Sequence, residues 1–259
     1  MRDKIIAGNW KMNLTRDAAV ALAAQLAEGV AKATDKLEGV QVVMFPPSVY
    51  VGAVADAIGR SKSKVAWGVQ NVYYEPNGAF TGEISVAMLQ DLGCRYVILG
   101  HSERRHILGE SDETVNKKVL AALKGGLIPI VCVGETQQER EAGKTLEVIE
   151  RQVCGSLAGV DADQMRGTVI AYEPVWAIGK GKTPATPQQA QEVHLALRKI
   201  LADRYNNETA EAVCLLYGGN VNAGNARDLL SQPDIDGVLV GGASLKADEF
   251  MKIVAAARG

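Results

Sequence analysis

The chain has 259 residues, 47% of them hydrophobic, 22% charged and only 5% aromatic, a balance that excludes disordered, membrane-spanning and disulfide-scaffold classes and leaves a globular α/β protein. Its formal net charge of -2 gives no global attraction to nucleic acid or to an anionic membrane, so an anionic ligand must be held by local groups. The length exceeds that of most single domains but is ordinary for an α/β barrel.

Eight short runs rich in Val and Ile follow one another: KIIAG, VQVVMF, KVAWGV, RYVILG, IPIVCVG, TVIAY, AVCLLY and DGVLVG. They are continuously apolar rather than alternating, as strands covered on both faces are, which points to a parallel sheet. Between them lie segments of helical period such as DAAVALAAQLAEGVAKA, SVAMLQDLG, TVNKKVLAALKGG and QQAQEVHLALRKILADRY. Thr186, Pro187 and Gln189 give the last of these a capping-box spacing with proline at its first position. Eight strand and helix units without a Pro/Gly/Ser-rich linker predict one (β/α)8 barrel domain over residues 1–259. A doubly wound sheet is disfavoured, because Gly8 is followed by Asn9, Trp10 and Lys11 and not by a dinucleotide fingerprint.

The opening MRDKIIAGNWK lacks an apolar leader core, and no apolar run reaches membrane-spanning length, so a cytoplasmic protein is expected. Cys94, Cys132, Cys154 and Cys214 lie far apart without metal-ligand spacing, and neither a metal centre nor a disulfide framework is expected. Cys94, Cys154 and Cys214 read as small core residues; Cys132 stays open.

Barrel chemistry sits where strands end. Strand 1 ends in Asn9 and Lys11, strand 4 in His101, Ser102 and Glu103, strand 6 in Glu173, strand 7 in Gly218, Gly219 and Asn220, and strand 8 in Gly241 and Gly242. A carboxylate, an imidazole and an ammonium are thereby aimed at one mouth. The two Gly-Gly loops let backbone N–H groups approach an anion closely, which favours phosphate.

The fragment GKGKT after strand 6 suggests a nucleotide loop and fails as one. A glycine is required five residues before Gly181, where Trp176 stands, and Pro184 and Pro187 delay the helix. A glycine-containing lid remains, with Val175, Trp176 and Ile178 to exclude water.

The stretches AGNWKMN, GAFTGEIS, YVILGHSERR, IPIVCVGET, AYEPVWAIG, YGGNV and VGGASL make the chain closely similar to the triosephosphate isomerase family along its whole length. The resemblance implies interconversion of dihydroxyacetone phosphate and D-glyceraldehyde 3-phosphate, a step of glycolysis and gluconeogenesis, with neither cofactor nor metal. It implies Glu173 as base and His101 as electrophile, the family's pairing of a glutamate with a neutral histidine at a helix N-terminus. Lys11 and Asn9 would hold the anionic substrate and its enediolate. Gly179, Asn220, Gly241 and Gly242 would bind phosphate through main-chain groups, with Glu103, Ser102, Cys132 and Thr81 in support. A homodimer through residues 70–85, with Thr81 near the partner's site, is also implied.

Two departures from the family pattern stand out: Asn220 replaces its usual serine, and GKGKTPATP carries one residue more than GTGKTATP, most simply Pro184. The alternatives are another sugar-phosphate isomerase or epimerase on the same barrel, and a catalytically silent phosphosugar-binding scaffold. An aldolase would need a Schiff-base lysine inside the barrel, and no strand core contains a lysine beyond its first position.

Overall fold

A computed structural model describes residues 2–61, 63–179 and 181–258. Lys180, inside the lid segment, lies outside the described residues. The strands are β1 (Lys4–Asn9), β2 (Val40–Phe45), β3 (Ala66–Val69), β4 (Tyr96–Leu99), β5 (Ile128–Val133), β6 (Val169–Tyr172), β7 (Cys214–Tyr217) and β8 (Gly237–Val240). Each pairs in parallel with its neighbours in chain order, and β8 closes on β1, giving a closed barrel. Around it run α1 (Arg16–Lys32), α2 (Val51–Gly59), α3 (Val86–Asp91), α4 (Ser102–His106), α5 (Asp112–Lys124) and α6 (Gln137–Glu141). The second half supplies α7 (Thr145–Ser156), α8 (Ala162–Arg166), α9 (Pro187–Arg204), α10 (Asn207–Ala212), α11 (Ala226–Leu230) and α12 (Ala247–Ala256).

Continuous apolar strands are explained by two separate cores. Alternate residues, among them Ala7, Phe45, Ile98, Ile130, Ala171 and Leu239, fill the barrel interior. Their neighbours, such as Ile6, Met44, Leu99 and Ile170, face the buried stripes of the helices. Because side chains alternate across a strand, the interior series runs on into Asn9, the last residue of β1, and past the ends of β3 and β6 into Gln70 and Glu173, which fixes their direction before any of them makes a contact. The expected cap at α9 is present: Thr186 accepts from the Gln189 N–H, and the Gln189 side chain accepts from the Thr186 N–H.

Two of the cysteines differ from expectation. Cys94 is buried, but Cys154 and Cys214 are only partly so. Cys154 lies on α7 beside Lys199 and Arg204 of α9, where the two helices leave a groove that the core does not fill. Cys214 is the first residue of β7, at the open edge of the barrel interior.

The end of the barrel opposite the strand C-termini is held by a buried ion network. Asp236 accepts from Arg198 Nη2 at 2.8 Å, from the Leu215 N–H at 2.9 Å and from Arg2 Nε at 2.6 Å. Arg198 also donates to the Ala210 and Val213 carbonyls, so the pair ties α9 and α10 to β7 and β8. Asp236→Ala leaves the buried Arg198 guanidinium with only its longer contact to Asp234, 3.4 Å from Nε, and the expected loss is about 3 kcal/mol of stability, the scale for breaking a buried pair from one side. Urea unfolding of the two proteins measures it; a loss below about 1 kcal/mol would place this pair with ordinary surface bridges.

Candidate active site

At the C-terminal mouth of the barrel a cavity of about 680 Å³ is lined by Asn9, Lys11, His101, Glu173, Gly179, Asn220, Gly241 and Gly242, together with Trp10, Gly218, Leu245 and Lys246 among others. Residues from five different strand ends, those of β1, β4, β6, β7 and β8, and from the lid thus converge on one space. Ser102, Glu103 and Cys132 do not line it but adjoin residues that do. Thr81 is exposed and lies outside it.

His101 owes its position to the turn between β4 and α4. Gly100 takes φ +66, and a Cβ there would stand 2.9 Å from the Arg105 guanidinium, so glycine is the residue this bend admits. His101 then caps α4: its Nδ1 accepts the Glu103 N–H at 3.1 Å. With that lone pair in use, the ring proton sits on Nε2 and the imidazole is a donor towards the cavity. Nε2 lies 3.1 Å from Glu173 Oε1.

Glu173 is 2% exposed. Its second oxygen, Oε2, accepts the Ser102 N–H at 2.7 Å, so Ser102 acts here through its backbone. Both oxygens of the carboxylate are therefore engaged on the β4 side. Gly218 borders the other side, where a Cβ would come within 2.8 Å of Glu173 Cγ. The absence of that methyl leaves the glutamate room to move across the mouth.

Lys11 sits in the left-handed region at φ 51, uncommon for a residue with a side chain. Three hydrogen bonds hold it there: its N–H to Asn9 Oδ1 at 3.0 Å, and Gln70 Nε2 to both the Lys11 and the Phe45 carbonyls at 3.0 and 2.9 Å. The strain is thereby absorbed by neighbours, and the side chain is directed over the mouth. Nζ reaches Glu103 Oε1 at 2.6 Å and passes within 4.0 Å of where a Cβ on Gly241 would be. The other Glu103 oxygen lies 3.6 Å from His101 Nδ1, a near contact without a hydrogen bond, since that nitrogen is already an acceptor.

Backbone donors complete the site. A short 3-10 helix, Gly242–Leu245, opens at the end of β8 and leaves the Gly242 and Ala243 N–H groups without intrahelical acceptors. Such free donors at a glycine loop suit an anion. Cys132 lies at the end of β5 beneath Glu173, fully buried, and burial first and the nearby glutamate second push its thiol well above its ordinary range. It stays a neutral thiol, a packing group rather than a nucleophile.

Two contributors escaped sequence reasoning. Glu135, wholly buried, accepts from Trp176 Nε1 at 2.8 Å and from the Tyr172 hydroxyl at 3.1 Å through Oε1, while Arg140 stacks 4.2 Å over the Trp176 ring. It anchors the base of the lid, where Val175–Ala177 form a 3-10 turn. Gln70, the clamp on Lys11, is the other. Both stand just beyond strand ends, β5 and β3, and the strand-end rule applied to all eight strands finds them. At the far end of the lid Asn220 Nδ2 donates to the Lys182 carbonyl and the Tyr217 hydroxyl accepts the Ala185 N–H, each at 3.2 Å. Pro184 lies between these two anchors, so the additional residue and the unusual asparagine meet at one hinge.

A family model described as triosephosphate isomerase matches residues 4–257. A protein of that name from Rhodopirellula baltica is 53% identical over 253 residues, 98% of this chain and 97% of its own length. One from Moorella thermoacetica is 53% identical over 256 residues, 98% of each chain. Another, from Chloroherpeton thalassium, is 50% identical over 257 residues, 99% of this chain and 100% of its own.

Proposed function

The chain belongs to the triosephosphate isomerase family, and we propose that Glu173 carries the proton between the two carbons of its triose phosphate substrate. The protein interconverts dihydroxyacetone phosphate and D-glyceraldehyde 3-phosphate through an enediolate. The observation that carries the residue assignment is the buried Glu173 carboxylate, 3.1 Å from a His101 nitrogen that faces the same cavity as Lys11.

The carboxylate takes a proton from the carbon beside the carbonyl, and the electron pair moves onto the carbonyl oxygen. That oxygen needs donors positioned for the charge it gains. The His101 Nε2–H is such a donor, with Lys11 and Asn9 beside it. A substrate oxygen that takes the Nε2–H displaces Glu173 Oε1 from it, so binding at His101 frees the base to act. Returning the proton to the adjacent carbon completes the exchange. Substrate and product are isomers, hence no external oxidant or reductant enters the balance. The lid excludes water, which protects the enediolate from losing its phosphate. Backbone N–H groups at Gly179, Asn220, Gly241 and Gly242 hold the phosphate meanwhile. A coupled assay with D-glyceraldehyde 3-phosphate tests the activity, and absence of turnover would overturn it.

The assembly is assigned in the same way: a homodimer, each copy offering residues 70–85 to the other. A second cavity of about 540 Å³ adjoins the site, lined by Met12, Val49 and Leu108 alongside Lys11, His101 and Glu103. Met12 is 96% and Val49 82% exposed in the single chain, an apolar patch beside catalytic candidates that calls for a cover. The 70–85 segment carries an exposed Phe80 packed on Tyr73, and its hydrogen-bonded turn closes from Phe80 to Glu83, beyond the bend at Asn77 and Gly78. On this reading Thr81, exposed in the same loop, reaches the partner's site. Sedimentation of a fully active monomer at micromolar concentration would refute the dimer. Residues 1–259 are assigned to one domain and the protein to the cytoplasm; among the described residues no helix is long and apolar enough to cross a membrane.

A further inference from the structure

We propose that Lys246 captures the substrate's phosphate dianion at the rim of the cavity and delivers it to the backbone donors; the inference rests on the isomerase assignment above. The cavity has to attract a dianion, yet its innermost charges do not. Lys11 lines it together with Glu173, and the Lys11 ammonium is already held by the Glu103 carboxylate at 2.6 Å. These three side chains carry one net negative charge between them. His101, with Nδ1 accepting a backbone N–H, adds a dipole and no charge. The phosphate-facing loops supply peptide groups, which act at contact distance and do little at long range.

Lys246 is the one other cation among the described residues that line the cavity. It stands directly after the 3-10 helix Gly242–Leu245 and at the N-cap of α12, on the side of the mouth where the free N–H groups lie. It is exposed, and no carboxylate among the described residues is within ion-pair distance of it. Glu249, one helical turn further on, is turned away and accepts the Ala223 N–H at 2.9 Å. An uncompensated cation at the entrance of a mildly acidic protein raises the local concentration of an anionic substrate and its rate of arrival. Lys246 then offsets the negative charge deeper in the mouth, which the chemistry needs and the substrate's approach does not.

The test compares the wild type with Lys246→Met and Lys246→Arg in steady-state kinetics on D-glyceraldehyde 3-phosphate. It is run at about 0.01 M ionic strength, where screening extends over about 30 Å, and at about 0.15 M, where it falls to about 8 Å. Lys246→Met is expected to lower kcat/KM roughly three- to tenfold at the lower salt, the small end of what electrostatic steering supplies. The loss should sit in KM more than in kcat and shrink at the higher salt, and the inhibition constant of inorganic phosphate should rise by a similar factor. Lys246→Arg should restore all three quantities. Wild-type values of kcat/KM and phosphate inhibition in Lys246→Met overturn the inference, as does a loss that salt leaves unchanged or that arginine fails to restore. A wild-type protein with no turnover would instead count against the isomerase assignment.

Discussion

Replacing Glu173 by glutamine is expected to lower kcat by at least ~10²-fold while the protein stays folded, the minimum for losing a positioned general base. The two side chains have nearly the same shape, so the packing around a residue only 2% exposed is kept. The amide oxygen can still accept the Ser102 N–H, now at 2.7 Å from the carboxylate. The amide nitrogen would then face His101 Nε2, also a donor, and one hydrogen bond of the resting arrangement is lost. That loss costs about 1–3 kcal/mol of stability, the range for leaving a buried donor without its acceptor. Catalysis suffers far more, because an amide has no basic lone pair with which to take a carbon-bound proton. KM should change little, since the phosphate donors and Lys11 are untouched. Steady-state kinetics and a thermal midpoint on the same preparation separate the two effects. A glutamine variant with near-wild-type kcat would remove Glu173 from the reaction.

Much of the molecule was legible because its strands are buried on both faces. An apolar run such as VQVVMF has Val43 and Phe45 inside the barrel and Met44 against the helices, and neither face needs a polar residue. Where the run stops and a polar side chain follows in the inward register, as at Asn9 and Glu173, chemistry is announced by the break itself. What the sequence conceals is partnership over distance. Gln70 matters because it clamps a carbonyl 59 residues away, and Glu135 because its oxygen lies under a tryptophan 41 residues on. No local pattern encodes either contact. The left-handed backbone of Lys11 is hidden for the same reason, since lysine has no preference for it and the neighbours impose it. The two departures at the lid could each be seen alone, at residues 184 and 220; that they meet across one hinge is a property of the fold.

Lys11→Met is expected to lower kcat/KM by ~10³-fold, more than the ~10²-fold lower end for removing one hydrogen-bond donor, because a full charge leaves along with the donor. Three consequences of the substitution compete, and their sizes decide which is seen. The backbone is retained, since methionine is unbranched at Cβ and the clamps from Asn9 and Gln70 act on main-chain atoms. Glu103 loses its ion pair, but its side chain is 45% exposed and can rehydrate, so the stability change stays within the ~1 kcal/mol of a partly exposed bridge. The mouth, however, loses the one ammonium that reaches from β1 to the Gly241 loop, and Glu173 and Glu103 remain without the cation that faced them. Substrate and enediolate are both anionic, so binding and rate should fall together, unlike the Glu173 variant, in which rate alone falls. The contrast is measurable: Lys11→Met raises KM and lowers kcat with an unfolding midpoint in urea close to the wild type. If KM and kcat both hold at their wild-type values, Lys11 is a surface charge and the enediolate is held without it. If the midpoint collapses along with activity, the lysine's role is to support the strained turn, and Gln70→Ala should then reproduce the same loss without touching the charge.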